Sequence, residues 1–199
     1  TAIVLALVVL LALAGIFFGL FEKSVVAKDV DQPLPQEQMT ALAERGAYVA
    51  VAADCYACHT AKGGAPWAGG LPFTTPFGTI YATNISPDKE HGIGNWTRAE
   101  FHRAVRDGVG KGGAHLYPAM PYASYRQMTA EDVDAVYAYL MSRAPMKVAN
   151  KPNDLNFPFN IRRVLTFWNL VNLPGDMPPL DAARSELWNR GRYVVDALG

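Results

Sequence analysis

Hydrophobic positions along this chain fall into four kinds of pattern, and each predicts a different element. From Ala2 to Phe21 twenty consecutive residues carry no charge, in the run A-I-V-L-A-L-V-V-L-L-A-L-A-G-I-F-F-G-L-F. At 1.5 Å per residue such a run matches a hydrocarbon core of about 30 Å, so residues 1–22 are expected to form a transmembrane anchor. Val25-Val26-Ala27 resembles a signal-peptide cleavage site, but signal h-regions run about 7–15 residues and this stretch is longer. Residues 23–36, charged and interrupted by Pro33 and Pro35, read as a short extended tether.

The pattern turns helical further on. A helix is expected from about Gln36 to Ala53. Thr97-Arg98-Ala99-Glu100 has capping-box spacing and starts a helix that carries Phe101, Ala104 and Val105 on one side and stops at Gly108. Thr129 and Asp132 repeat the signal, followed by Val133, Val136, Tyr137, Leu140 and Met141 at i, i+3, i+4, i+7 and i+8, an amphipathic helix closed by Pro145. Between these helices, residues 60–96 are rich in Gly, Pro, Thr and Asn and show no sustained period. They are expected to be loop, with Trp67, Phe73, Phe77 and Tyr81 packing on something other than a sheet. The domain expected is therefore residues 37–145, with residues 146–187 as a linker containing a short helix within Ile161–Leu173, between Pro158 and Pro174. Arg190-Gly191-Arg192-Tyr193-Val194 partly repeats Arg45-Gly46-Ala47-Tyr48-Val49, which leads into the cysteine pair, so residues 188–199 are expected to begin a second, truncated domain of the same kind.

Three helices joined by such long loops do not make a compact core by themselves. A large apolar cofactor acting as the core would resolve this, and the cysteines say which. The 199 residues hold only two, in Cys55-Tyr56-Ala57-Cys58-His59. A disulfide framework and a four-cysteine zinc site are both excluded by number. A thioredoxin-like dithiol expects a strand before the motif, whereas a helix leads in here. The pattern is that of covalent haem attachment: two thiols on one helical turn reach two vinyl groups on one porphyrin edge, and the next imidazole ligates the iron. The fold class expected is mainly α, a class I-like cytochrome c domain with long loops around one haem c, preceded by the transmembrane helix. Eighteen basic residues balance eighteen acidic ones, so nothing suggests a nucleic-acid surface.

The sixth ligand separates carriers from enzymes. Met120 lies in His115-Leu116-Tyr117-Pro118-Ala119-Met120-Pro121-Tyr122, a loop stiffened by prolines that can hold a thioether against iron; His115 is the alternative. Met39 and Met177 are poorly placed, Met141 reads as core filler, Met128 and Met146 flank helix ends, and His91 and His102 read as surface or helix-face histidines. Arg106 or Arg103 could neutralise a propionate, and Trp96 or Asn84 could hydrogen-bond one. With His59 and Met120 as metal ligands no position stays open for chemistry, so no catalytic site is expected and single-electron transfer is the leading function. The alternatives are a haem enzyme or sensor with an exchangeable axial site, and a zinc or dithiol module.

Three stretches go further: Leu71-Pro72-Phe73-Thr74-Thr75-Pro76-Phe77-Gly78-Thr79-Ile80-Tyr81-Ala82-Thr83-Asn84-Ile85-Ser86-Pro87-Asp88, Gly92-Ile93-Gly94-Asn95-Trp96-Thr97, and the loop His115–Tyr122. From about Leu42 onward the chain resembles the triple-haem cytochrome c subunit of membrane-bound periplasmic dehydrogenases, of the alcohol, gluconate, fructose and aldehyde types. The resemblance implies thioether links at Cys55 and Cys58, His59 as proximal and Met120 as distal ligand, and two further haem domains, three haems in the intact protein. It also implies a periplasmic position at the bacterial inner membrane and ubiquinone as acceptor. The catalytic partner subunit would carry pyrroloquinoline quinone, flavin or molybdopterin. The N-terminal anchor departs from members that attach through their C-terminal end, and looks more like the molybdopterin aldehyde dehydrogenase branch.

Overall fold

The structure, a computed structural model, describes residues 2–18, 20, 24–175 and 177–199. Helix α1 (Ala2–Phe17) opens the chain with its leucines, valines and Ile3 exposed, Ile3 at 76% and Leu11 at 72%. It has 16 residues, about 24 Å at 1.5 Å each. Among the described residues no helix is long and apolar enough to cross a membrane. The expected span ran to Phe21, and residues 19 and 21–23 lie outside the described residues.

The centre of the fold is the crossing of α2 (Gln36–Ala52) with α6 (Ala130–Met141). Gly46 makes it possible. A Cβ there would sit 1.9 Å from the Ala135 carbonyl oxygen and 2.7 Å from Tyr139 Cβ, so the two backbones touch where no side chain fits. Gly46→Ala is therefore expected to destabilise the protein by at least the roughly 1–3 kcal/mol of an overpacked core, read as a lower thermal midpoint. An unchanged midpoint would mean that the helices do not cross here. The expected stripe of α6 is buried as the spacing required, Val133 and Leu140 almost completely, and it meets Val49, Ala50 and Phe101 in one core.

Both N-terminal signals are realised, in different ways. Ahead of α4 (Arg98–His102), Thr97 Oγ1 accepts from the Glu100 N–H at 3.1 Å while Glu100 Oε2 accepts from the Thr97 N–H at 2.8 Å, a full capping box. Ahead of α6, Thr129 Oγ1 accepts from the Asp132 N–H, but the Asp132 carboxylate does not turn back. It accepts instead from Tyr193 Oη at 2.6 Å and from Arg45 Nε at 2.7 Å. After α4 the backbone widens into one π turn over Arg103–Asp107 before the left-handed Gly108 ends it, as its position implied. His102, expected as a surface or helix-face histidine, lies on α4, fully buried, and bonds Asp134 Oδ1 through Nε2 at 2.7 Å. Burial pushes the Asp134 carboxyl up, but hydrogen bonds from Arg98 and His102 outweigh it and hold it below its usual range.

Two expectations change. First, residues 60–96 include a hairpin of β1 (Pro72–Thr75) and β2 (Gly78–Tyr81), to which β3 (Asp154–Leu155) adds an antiparallel strand. Phe73 and Tyr81 thus lie in a sheet. Strands of four and two residues are too short for an alternating pattern to show. Second, the tether is docked. The Val25 N–H and Ser24 Oγ both donate to the Asp107 carboxylate, and Arg106 Nη1 donates to the Val25 carbonyl at 3.3 Å. The linker's short helix, whose apolar face is expected to pack on this domain or a neighbour, lies against this domain. This helix, α7 (Leu165–Asn172), forms inside the expected stretch, Asn169 Oδ1 accepts from Tyr122 Oη at 2.9 Å, and the Pro174 carbonyl accepts from Arg126 Nε at 2.8 Å. Helix α8 (Glu186–Tyr193) and the π turn after it place Tyr193, Ala197 and Leu198 in this same core.

Arg126 and Asp107 hold these segments together, 2.7 Å apart and each about 5% exposed. Removing one charge of such a buried pair costs about 3–5 kcal/mol. Asp107→Asn should lower the thermal midpoint by roughly 10 °C at the 2–4 °C per kcal/mol typical of this chain length. A shift of a degree or less would show that the tether is not clasped there.

Candidate haem site

The sequence builds the site from the end of α2. Asp54 takes a left-handed conformation (φ 50°), which breaks the helix and restarts the chain as one turn, α3 (Cys55–Cys58). That turn sets both thiols on the same side, and the His59 N–H closes it on the Cys55 carbonyl at 2.9 Å. Both cysteines are free and face an internal cavity of about 530 Å³, within the range of small-molecule and cofactor sites. Burial pushes the Cys55 thiol up to about 12, helped by Cys58 and Asp54, and Cys58 shifts the same way from burial and the Asp54 charge. Both thiols are therefore held in the protonated form at neutral pH.

His59 follows on the same wall. Its Nδ1 lies 2.7 Å from the Thr83 carbonyl oxygen. A carbonyl only accepts, so Nδ1 carries the proton and Nε2 keeps its lone pair. Burial lowers the imidazole's affinity for a second proton, although the Thr83 contact opposes this. Gly69 makes the approach possible: its N–H donates to the His59 carbonyl at 2.8 Å, its φ is +71°, and a Cβ would lie 2.4 Å from the Thr83 backbone.

Met120 lines the same cavity, in the loop between the bridge formed by Val109 with His115 and the short helix α5 (Tyr122–Tyr125). The remaining wall is largely apolar, with Ile85, Phe101, Val105, Val133 and Leu140 among its side chains. Two thiols, one imidazole with its Nε2 lone pair kept and one thioether thus converge on a greasy cavity made by helices and loops of distant sequence.

The profile of the cytochrome c family matches residues 43–144, just over half the chain. This chain belongs to the cytochrome c family. Its relatives include a subunit of the nicotinate dehydrogenase of Pseudomonas putida, 51% identical over 80% of this chain and 13% of that protein. The gluconate 2-dehydrogenase cytochrome c subunit of Pantoea cypripedii is 51% identical over 80% of this chain and 36% of its own length. The cytochrome c subunit of the quinone alcohol dehydrogenase of Gluconobacter oxydans is 44% identical over 82% and 35%. The chain spans about a third or less of the length of these relatives.

Membership in the cytochrome c family brings a covalently bound haem c, and the cavity fits one: thiols on one edge, an imidazole with its lone pair kept, and apolar walls. Of the other residues singled out in the sequence, Trp96 lines the cytochrome's cavity, and its carbonyl accepts from Tyr137 Oη. Asn84 touches the wall, but its side chain is engaged within the fold. Nδ2 donates to the Met146 and Val148 carbonyls, and Oδ1 accepts from Ser86 N–H and Oγ. Arg106 is not part of the lining; its guanidinium donates to the carbonyls of Arg126 and Val25, so it holds the tether rather than facing a propionate. Arg103 is exposed. His115 is buried, and it too lies off the lining. His91, expected as a surface or helix-face histidine, is half-buried and borders the cavity.

The basic groups that do border the cavity are Lys111, Lys151 and Arg162. No sequence signal marked them, because a lone cation in a loop looks like any solvated one; only folding brings residues 151 and 162 back over the site.

Proposed function

We propose that this chain is a haem-carrying electron-transfer module in which Cys55 and Cys58 form the thioether links and His59 and Met120 are the axial ligands. One observation carries it: all four side chains face one apolar cavity, with His59 oriented by the Thr83 carbonyl. The bound iron would supply reversible one-electron chemistry. The chain's residues do the rest. The Nδ1–H bond fixes the ring orientation and raises the basicity of Nε2. The apolar wall keeps water out, and thioether ligation raises the reduction potential. With His59 and Met120 both holding the iron, oxygen and peroxide would find no place to bind.

The relatives' names support a catalytic dehydrogenase subunit as electron donor. Its prosthetic group would be molybdopterin, pyrroloquinoline quinone or flavin, and ubiquinone would be the acceptor. The greater length of the relatives, and the repeat around Arg190–Val194, support additional haem domains in the intact protein. The uncharged run Ala2–Phe21 and the exposed apolar surface of α1 support anchoring in the bacterial inner membrane, with the haem domain on the periplasmic side.

The carrier reading is tested by mixing the reduced protein with carbon monoxide and by identifying what co-purifies with it. Slow, sub-stoichiometric binding and a co-purifying dehydrogenase subunit are expected. Fast stoichiometric binding would indicate an exchangeable axial site and a haem enzyme or sensor instead.

A further inference from the structure

The cytochrome c match ends at residue 144, yet the wall of the cavity does not. Asn150, Lys151, Asn153 and Arg162 all border it, from the segment between α6 and α7. This segment grips the domain at two places, and each lies beside one of the proposed axial ligands.

The first grip is on the His59 side. Asn150 Oδ1 accepts from the Asn84 N–H at 2.6 Å, and Asn150 Nδ2 donates to the His91 carbonyl at 2.7 Å. Asn84 Nδ2 donates back to the carbonyls of Met146 and Val148 at 2.7 and 3.0 Å. Asn153 Oδ1 accepts from the Tyr81 N–H at 3.0 Å. These bonds bracket Thr83, whose carbonyl holds the His59 ring.

The second grip is on the Met120 side. Arg162 Nη1 donates to the His115 carbonyl at 2.8 Å, and its guanidinium carbon lies 4.8 Å from the centre of the Tyr117 ring. Tyr117 Oη donates to the Phe159 carbonyl at 2.8 Å. The loop His115–Met120 is stiffened by proline but has little regular structure, so outside contacts decide where its thioether sits.

We infer that the segment Met146–Arg162 is a brace that positions both axial ligands, and that Arg162 is the positioning residue for Met120. The inference rests on the assignment of His59 and Met120 above. Iron–thioether bonds are weak, so a loop freed at one end releases its methionine more often. Losing a group that supports a metal ligand from behind typically costs 10–100-fold. Arg162→Ala should therefore raise the rate of carbon monoxide binding to the reduced holoprotein about tenfold. The pH at which the sulfur-to-iron absorption band disappears should fall by about one unit, the equivalent of tenfold. Arg162→Lys, which keeps a donor for His115, should recover most of the effect. Tyr117→Phe, which removes only the hydroxyl bonded to Phe159, should move both readouts in the same direction by less, and it carries the test if Arg162→Ala does not accumulate. A merely structural role would lower the thermal midpoint without moving the band. If the wild-type protein shows the band and both variants match it in band and carbon monoxide rate, the brace is overturned while the Met120 assignment stands. If the wild-type protein shows no such band, the Met120 assignment falls and the inference with it.

Discussion

The double variant Cys55→Ala/Cys58→Ala should accumulate without covalent haem and without a cooperative fold. The reason is volumetric. A cavity of about 530 Å³ lies where another small domain would have side chains. Each large apolar side chain missing from a core costs about 2–5 kcal/mol, and a cavity of this size stands for several. The whole stability of a domain is about 5–15 kcal/mol, so the loss of several removes most of the margin. Val133 and Leu140 on α6 and Phe101 on α4, which border the cavity, would lack a ring system packed against them. The check is a haem stain on a denaturing gel together with circular dichroism through a thermal scan. A sigmoidal transition near the wild-type midpoint, in protein free of haem, would show that the helices α2 and α6 suffice without the cofactor.

Met120→Ala has the second large effect, and it spares the fold. Haem should remain attached through Cys55 and Cys58, and the sulfur-to-iron band should vanish. The reduced protein should then bind carbon monoxide rapidly and stoichiometrically. The potential should fall by more than about 0.1 V, a modest part of the roughly 0.8 V that axial ligands span. Absorption spectroscopy and a redox titration read both effects. An unchanged band would move the sixth ligand elsewhere on the wall. Met128 would then be the first residue to substitute, since it is the other methionine that borders the cavity.

How much of this could be read in the sequence depended on the range of the interactions involved. The haem motif, the two N-caps and the buried stripe of α6 are local: each is written within about a dozen residues, and each appears where its spacing placed it. Met120 was legible for a different reason, because prolines announce a stiff loop before any contact is known. Features that depend on distant pairing were not legible. The strands β1 and β2 are four residues each, and β3 is recognisable only because Gly78 and Thr79 pair with it. Arg106 looked like a propionate partner because a buried helix-face arginine needs some anion or carbonyl. The partners it takes, at Arg126 and Val25, lie 20 and 81 residues away. His102 carried no mark of burial, because its partner Asp134 lies 32 residues on. The contacts of the linker were hidden in the same way, since the hydrogen-bond partners of Asn150, Asn153 and Arg162 lie 47 to 72 residues earlier.

The mass of this 199-residue chain, made in cells competent in haem attachment, puts the central idea to its sharpest test. A chain heavier by one haem, with neither cysteine open to alkylation after denaturation, is the predicted result. A chain of unmodified mass with two alkylatable thiols, purified from cells competent in haem attachment, would contradict it.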